Sequence, residues 1–467
     1  MNSVEVKNII LAKKMANRLA QLNLKPTEYK WAVFVLDKLL GKMQRTPGGD
    51  GIVEMPSTYI RKAFKASGQN VLRTLVNANI VESPKSWSTG TYDENPFARK
   101  YRISLDLCDF DHQAEVHHGA APDQKEQEHL YYMEANLRAL EIDLTKALIN
   151  AHRLADAITL NKYDVGDEIE GETLEIYDAE SNLAPWYATR ENAFAYAEKH
   201  GKKLIRKQRI YGAKPVCHVV DHVVNYVADV RNVSRMAWTR QVLNLEKGVV
   251  YAIRSHTNQR VDSNVTNLPT ALLEHCSVNS GESLVSIDLT NSQYAVMASM
   301  FKNGKFADVR SAFFQQFTLT EESQHYLQHC ENGTVYEYFM EKLGIPAQDR
   351  NHAKGVKLGA TYSSHKATTP AKLAFKKVAP QIVEIWDAFK KEYGDNQLAI
   401  LNQICEAEIF IDGCSAELDK KGIWHLTKHD SVLCAESDAL LVWAIVKNHL
   451  EHNGVVGQLK EPLPAHI

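Results

Sequence analysis

Two aspartates sit where carboxylates can do metal chemistry. In the stretch SLVSID (283–288), an apolar, strand-like run ends in Asp288, and a short polar turn leads from it into a helix. In WHLTKHDSVLCA (424–435), Asp430 interrupts a second apolar run at what reads as a hairpin turn, and a helix follows from about 437 to 450. Two carboxylates at strand ends can hold a pair of Mg²⁺ ions, which activate an attacking hydroxyl and steady a leaving pyrophosphate in an in-line displacement. Either segment alone is weak, because aspartate at a strand end is commonly a cap or turn residue.

A third segment adds charge of the opposite sign. In DRNHAKGVKLGATYS (349–363), Arg350, Lys354, Leu358 and Tyr362 recur every fourth residue, so on a helix they form one slowly turning stripe. Two cations, an apolar group and an aromatic in that order suit a nucleotide held lengthwise, with triphosphate on the cations and sugar and base beyond. By itself the stripe reads better as a solvated basic helix with a tyrosine tucked into a core.

Taken together, these residues resemble the palm-and-fingers polymerases of the DNA polymerase I family (family A) and the related single-subunit phage RNA polymerases. Those enzymes carry, in the same order, a strand ending in a metal-binding Asp (here Asp288), an R-x-x-x-K-x-x-x-[apolar]-G-x-x-Y helix (Arg350, Lys354, Leu358, Gly359, Tyr362), and a His-Asp hairpin (His429, Asp430). Upstream, QRVDSNVTNLP (259–269) is similar to the family's G-R-x-S-S…N-L-x-N-x-P segment, shortened in its middle. The resemblance spans about residues 250–467. It implies that Asp288 and Asp430, with the Leu289 carbonyl, hold two Mg²⁺ ions, with Mn²⁺ as an alternative. It further implies that Arg350 and Lys354 bind the triphosphate, Lys354 serving catalysis at the leaving pyrophosphate, and that Leu358 and Tyr362 meet the nucleotide. Arg260, Asn267 and His429 would contact the primer–template. Gln293 stands where DNA-synthesising members carry a Glu steric gate and phage RNA polymerases a Gly. Its bulk favours dNTPs, whereas Ser431 after the His-Asp pair matches the RNA polymerases. Leu358 replaces the usual aromatic of the DNA enzymes, and Ser363 a Gly.

The elements around these motifs set the expected organisation. At roughly 100–200 residues per domain, 467 residues imply two to four domains. Residues 1–110 carry 17 Lys+Arg against 10 Asp+Glu, while the remainder carries 37 against 47. On charge alone a basic module on an acidic remainder reads first as a solvated basic surface, and second as a face for a nucleic-acid partner. Its periodicity reads as a helix over 4–22 (Val4, Ile9, Ile10, Met15, Leu19), helices at 26–43, 57–66 and 69–79, and a β-wing over 80–104. That order resembles a winged-helix DNA-binding domain, with Arg61, Lys62, Lys65 and Arg73 on the helices and Lys85, Arg99 and Lys100 on the wing facing phosphates. Residues 108–126, polar and holding His112, His117 and His118, read as a solvated linker. A helix over 127–158 and another over 216–247 follow, and His218 and His222 lack the third ligand of a metal site.

The expected fold is therefore α+β: a right-hand polymerase with an antiparallel palm sheet and helical fingers and thumb, behind a small winged helix. Its parts are a winged-helix-like domain (1–107), a linker (108–126), a thumb-like helical region (127–250), and palm and fingers (251–467). The expected activity is DNA-directed DNA synthesis without proofreading, since residues 1–250 show no exonuclease pattern. The fusion resembles replication proteins of phages or mobile elements. The expected partners are DNA primer–template and nucleoside triphosphates, plus sequence-specific duplex DNA at the N-terminal domain. An RNA polymerase or primase on the same fold is the first alternative. A winged-helix replication initiator with an inactive polymerase fold is the second. Seven cysteines at irregular spacing, without a CxxC pair, suit free thiols. With no signal segment and no apolar run near membrane-spanning length, the expected location is cytoplasmic, without membrane contact.

Overall fold

The computed structural model describes residues 6–44, 51–83, 98–111, 113–120, 128–158, 223–279, 281–346 and 349–460, together with four strands and a few further residues between 173 and 220. The wing tip with Lys85, and also His112 and His222, lie outside the described residues. The chain folds as two units, one of residues 1–126, 142–209 and 213–249, the other of 127–141, 210–212 and 250–467.

In the first unit, the expected helix over 4–22 is instead a strand, Val6–Leu11, followed by a shorter helix, Lys13–Ala20. The β-branched Val6, Ile9 and Ile10 favour the extended chain. They find a partner in the stretch read as a linker: Glu115–Ala120 pairs antiparallel with the first strand, in register Val6↔Ala120 to Leu11↔Glu115. Alternation explains why that strand looked like polar linker, since its residues alternate between half-buried and exposed as far as Gly119 and Ala120. The Tyr29 hydroxyl and His117 Nδ1 share a hydrogen bond of 2.9 Å, and the Asn8 side-chain oxygen accepts from His118 Nδ1 at 3.0 Å.

Helix Pro26–Gln44 packs beneath a three-stranded sheet in which Ala98–Ile103 lies between Val53–Pro56 and Val81–Glu82. The two expected helices at 57–66 and 69–79 form one run, Ser57–Asn77, broken at Lys65, whose φ is 51°. Gly68 allows that break to close on the core, because a Cβ there would sit 2.8 Å from the Trp31 ring. Arg61, Lys62, Lys65 and Arg73 are exposed on this run.

The thumb-like reading of 127–250 meets a different arrangement. Helix Val223–Glu246 buries Val233, Met236, Ala237 and Leu243 in the same core as Ile10, Phe34, Leu72 and Ile103. Apolar burial thus ties it to the N-terminal residues, and the helix begins at 223 because 216–220 form a strand, parallel to Thr173–Asp178. The helix expected over 127–158 divides into Tyr131–Arg138 and Leu144–Asp156, the second capped by Asp143, which accepts from the Lys146 amide.

The second unit is built on strand Ser431–Ala435, buried along its whole length between His425–Lys428 and Glu282–Asp288. Its apolar run, Val432 to Ala435, is continuous because both faces are covered. Helices Ser292–Phe301, Pro380–Tyr393 and Ala439–His452 contribute to one core with Ile287, Tyr294, Phe389, Val432 and Val446. Among the described residues, no helix is long and apolar enough to cross a membrane. Six of the cysteines are buried free thiols.

Candidate active site

Strand pairing brings the two aspartates together. Asp288 ends its strand opposite Ser431, and the Leu289 amide points to the Asp430 carbonyl at 3.5 Å. Asp430 is there because the hairpin turns on two residues between Lys428 and Ser431. His429 takes the first turn position with φ 57°, a left-handed backbone that costs a non-glycine residue about 1–2 kcal/mol. Strain of this kind persists where the surrounding structure imposes it.

The helix Arg350–Tyr362 faces this pair, and its own architecture fixes its position. A Cβ on Gly359 would lie 2.4 Å from the Ala371 Cβ, so the glycine permits close packing against helix Pro370–Val378. The buried Lys390 ammonium donates to the Ala360 and Ser363 carbonyls at 3.0 and 2.9 Å, satisfying acceptors that the helix end leaves open.

A cavity of about 510 Å³ is lined by Arg260, Asp288, Leu289, Gln293, Arg350, Lys354, His429 and Asp430 from among the expected residues. Leu358 and Tyr362 do not line it. Tyr362 instead receives a 3.4 Å hydrogen bond from Gln403. Asn267 is exposed and donates to Asp262 at 3.1 Å. The expectation that Arg61, Lys62 and Lys65 contact DNA concerns the other unit.

Several residues of this cavity and its surroundings carry no local sequence signal strong enough to single them out. Glu406, 1% exposed, accepts from Ser292 Oγ at 2.5 Å and pairs with Arg260. A lone acid among Ile404, Cys405 and Ala407 was the available signal. The helix carrying it passes at Glu408 into a π-helical stretch to Ser415, a distortion frequent at functional sites. Lys460 reaches the site by a β-like contact. Its amide donates to the Asp288 carbonyl at 3.0 Å, its ammonium pairs with the Asp288 carboxylate, and the Gln458 carbonyl accepts from Thr290 at 2.9 Å. No local pattern announces such a contact. Tyr336 offers its ring to Arg350 at 4.5 Å and to Lys354 at 6.0 Å. Lys357 also lines the cavity.

The electrostatics follow from this crowding. Burial, then Glu406 and Asp288, push the Asp430 carboxyl up to about 7. Burial lowers the pKa of His429 and pushes the Tyr336 phenol up to about 12. Five cationic side chains (Arg260, Arg350, Lys354, Lys357 and Lys460) line the cavity with two carboxylates, Asp288 and Asp430. That excess suits a polyanion, while the carboxylate pair suits a hard divalent cation. Burial is the larger cause of the Asp430 shift, and the nearby Glu406 and Asp288 charges add to it; the paired carboxylate oxygens are donors of the kind that fit a Mg²⁺-type ion. Among the described residues no cluster of three or more His, Cys, Asp or Glu side chains is arranged as a metal cage. A Mg²⁺ site needs none, as it usually retains waters and substrate oxygens.

A scan against protein-family models finds no match, and a search of curated proteins finds none either. A search of solved structures returns, among others, the POL domain of Pol1 from M. smegmatis in complex with DNA primer-template and dNTP. The TM-score is 0.36 and the identity 14%, over 70% of this chain and 65% of that one. The chain therefore spans less than two thirds of that domain's length. An overlap this loose carries no weight, and the functional reading rests on the residues themselves.

Proposed function

We propose that this chain is a template-directed nucleotidyltransferase of the family A type, a DNA-directed DNA polymerase without proofreading. The supporting observation is that the strand-end aspartates and the Arg350–Lys354 helix, more than 60 residues apart in sequence, line one cavity whose charge suits a metal–triphosphate complex. In this reading Asp288, Asp430 and the Leu289 carbonyl hold the metal ions. Metal ions held there would supply a lowered pKa for the attacking hydroxyl and charge neutralisation on the phosphates. Arg350 and Lys354 grip the triphosphate, and the Tyr336 ring holds both cations in place. The primer 3′-oxygen forms a bond to the α-phosphorus as the bond to the β-phosphate oxygen breaks. The hydroxyl proton passes to solvent water, and Lys354 neutralises or protonates the leaving pyrophosphate. His429 and Arg260 meet the primer end, Arg260 aimed by its pairing with Glu406.

Of the two conflicting sequence clues, Gln293 is given the greater weight in this reading, which supports DNA over RNA synthesis. Gln293 lines the cavity, where its bulk opposes a ribose 2′-hydroxyl. Ser431 is buried, is not among the residues that line the cavity, and donates to the Lys428 carbonyl at 2.9 Å. The basic helix run of the first unit is proposed to bind duplex DNA through phosphates. Incubation of the full chain with a labelled primer–template, Mg²⁺ and either dNTPs or rNTPs tests the proposal. Extension with dNTPs is expected. Extension with rNTPs alone would favour the RNA polymerase reading, and failure with both would leave the initiator reading.

A further inference from the structure

The helix facing the aspartates carries more charge on its inner face than the R-x-x-x-K pattern accounts for. Arg350, Lys354 and Lys357 stand at i, i+4 and i+7, the spacing of a single helix face. All three line the cavity, whereas Leu358 and Tyr362, further round the stripe, do not. The three cations differ in depth. Lys354 is exposed, Arg350 is half-buried with its guanidinium over Tyr336 and its Nε donating to Glu337 at 3.2 Å, and Lys357 is 9% exposed.

Lys357 is also the worst provided for. Its ammonium meets the face of the buried Tyr294 ring at 3.9 Å. Among the described residues, no carboxylate lies within salt-bridge distance of it and no hydrogen-bond acceptor reaches it. The acids that act on it do so at a distance: Glu406 is engaged by Ser292 and Arg260, and Asp430 lines the same cavity. The ammonium keeps only the access to water that the cavity gives it; withdrawing a charge this far without a direct partner is costly, and a ring face replaces only part of the hydration lost. Burial accordingly lowers its pKa to about 8, against the pull of Glu406, Cys330 and Asp430. A simple packing role does not explain a lysine here, since methionine would fill the same volume without that cost.

We infer that Lys357 is a third and innermost phosphate ligand of this site, so that the triphosphate is held by Arg350, Lys354 and Lys357 together. The inference rests on the proposed nucleotide site and adds a ligand to it. The anion supplies the acceptors that Lys357 lacks, and Lys357 supplies charge where solvent is scarcest and a charge-assisted hydrogen bond strongest. Stability is given up in the free protein for binding in the occupied one.

The test is calorimetric titration of the full chain with inorganic tripolyphosphate and with a dNTP, each with Mg²⁺, on wild type, Lys354→Met and Lys357→Met. Thermal melts are run on the same samples. Lys357→Met is expected to weaken tripolyphosphate binding about tenfold or more, the size typical of one charged hydrogen bond, while melting at or above the wild-type temperature. Binding by Lys357→Met equal to wild type, with Lys354→Met impaired, overturns the inference and leaves the nucleotide site standing. Lost binding together with a lowered melting temperature assigns Lys357 to the scaffold and overturns it as well. Failure of wild type to bind either anion removes the nucleotide site itself.

Discussion

Asp430 shows how one position can be strained and useful at once. It is held in a two-residue turn beside a left-handed His429, with Asp288 on the paired strand and the Glu406 charge behind it. Uncompensated, that arrangement destabilises; with cations it becomes a binding site. Glu406 belongs to the same arrangement, since it fixes Arg260 and the first residue of the helix that follows Asp288. The sugar preference is set at this scale too. Gln293 lines the cavity on that helix, and its backbone carbonyl is anchored by Asn402 at 2.9 Å. Replacing it by glycine removes the bulk, leaves the anchor, and is expected to raise rNTP incorporation relative to dNTP by about 10–100-fold, within the range that hydrogen-bond and steric discrimination spans. Single-nucleotide incorporation kinetics give the ratio; an unchanged ratio would remove Gln293 from sugar selection.

The elements were legible in proportion to how local their causes are. The Asp288 strand, the hairpin at 429–430 and the helix after Asp349 could be read because apolar runs, turn residues and helical spacing act within a few residues. Lys460, Glu406 and the pairing of Val6–Leu11 with Glu115–Ala120 could not, since each depends on a partner more than 100 residues away. Gly359 was legible as part of a motif, but its reason is tertiary. Gly359→Ala would gain helix propensity but drive a Cβ into Ala371, and is expected to destabilise by about 1–3 kcal/mol. Ala371→Gly in the same chain should recover most of the loss in chemical denaturation, and no recovery would deny that contact.

Helix packing in the first unit leans on a buried ion pair in the same way. Asp37 on Pro26–Gln44 meets Arg240 on Val223–Glu246 at 2.5 Å, both little exposed. Burial would raise the Asp37 pKa, but Lys7, Arg240 and the Arg240 hydrogen bond outweigh it and bring it to about 2. A depressed carboxylate stabilises fully above its unfolded pKa of about 4 and loses that contribution as pH falls toward 2. Arg240→Ala is expected to cost about 3–5 kcal/mol near neutrality. Acid titration of unfolding should show Asp37→Asn with a shallower dependence between pH 4 and 2, and an identical profile would contradict the pairing.

For the whole molecule, the chain passes between its two units several times. Composition marked the basic N-terminal stretch, but composition cannot show that helix Val223–Glu246 closes its core. Truncation to 127–467 would strip the apolar face of that helix of its partners. Such a fragment is expected to aggregate or to bind a hydrophobic dye, whereas a well-folded monomer of that length would refute the division.

The central claim, that Asp288 and Asp430 form one metal-dependent nucleotidyl-transfer site, is tested most directly by primer extension with Mg²⁺ and dNTPs, comparing wild type with Asp288→Ala and Asp430→Ala. Wild type should extend the primer, and each variant should be slower by about 10²–10³-fold or more while melting no lower than wild type. Extension by either variant at the wild-type rate would contradict the claim.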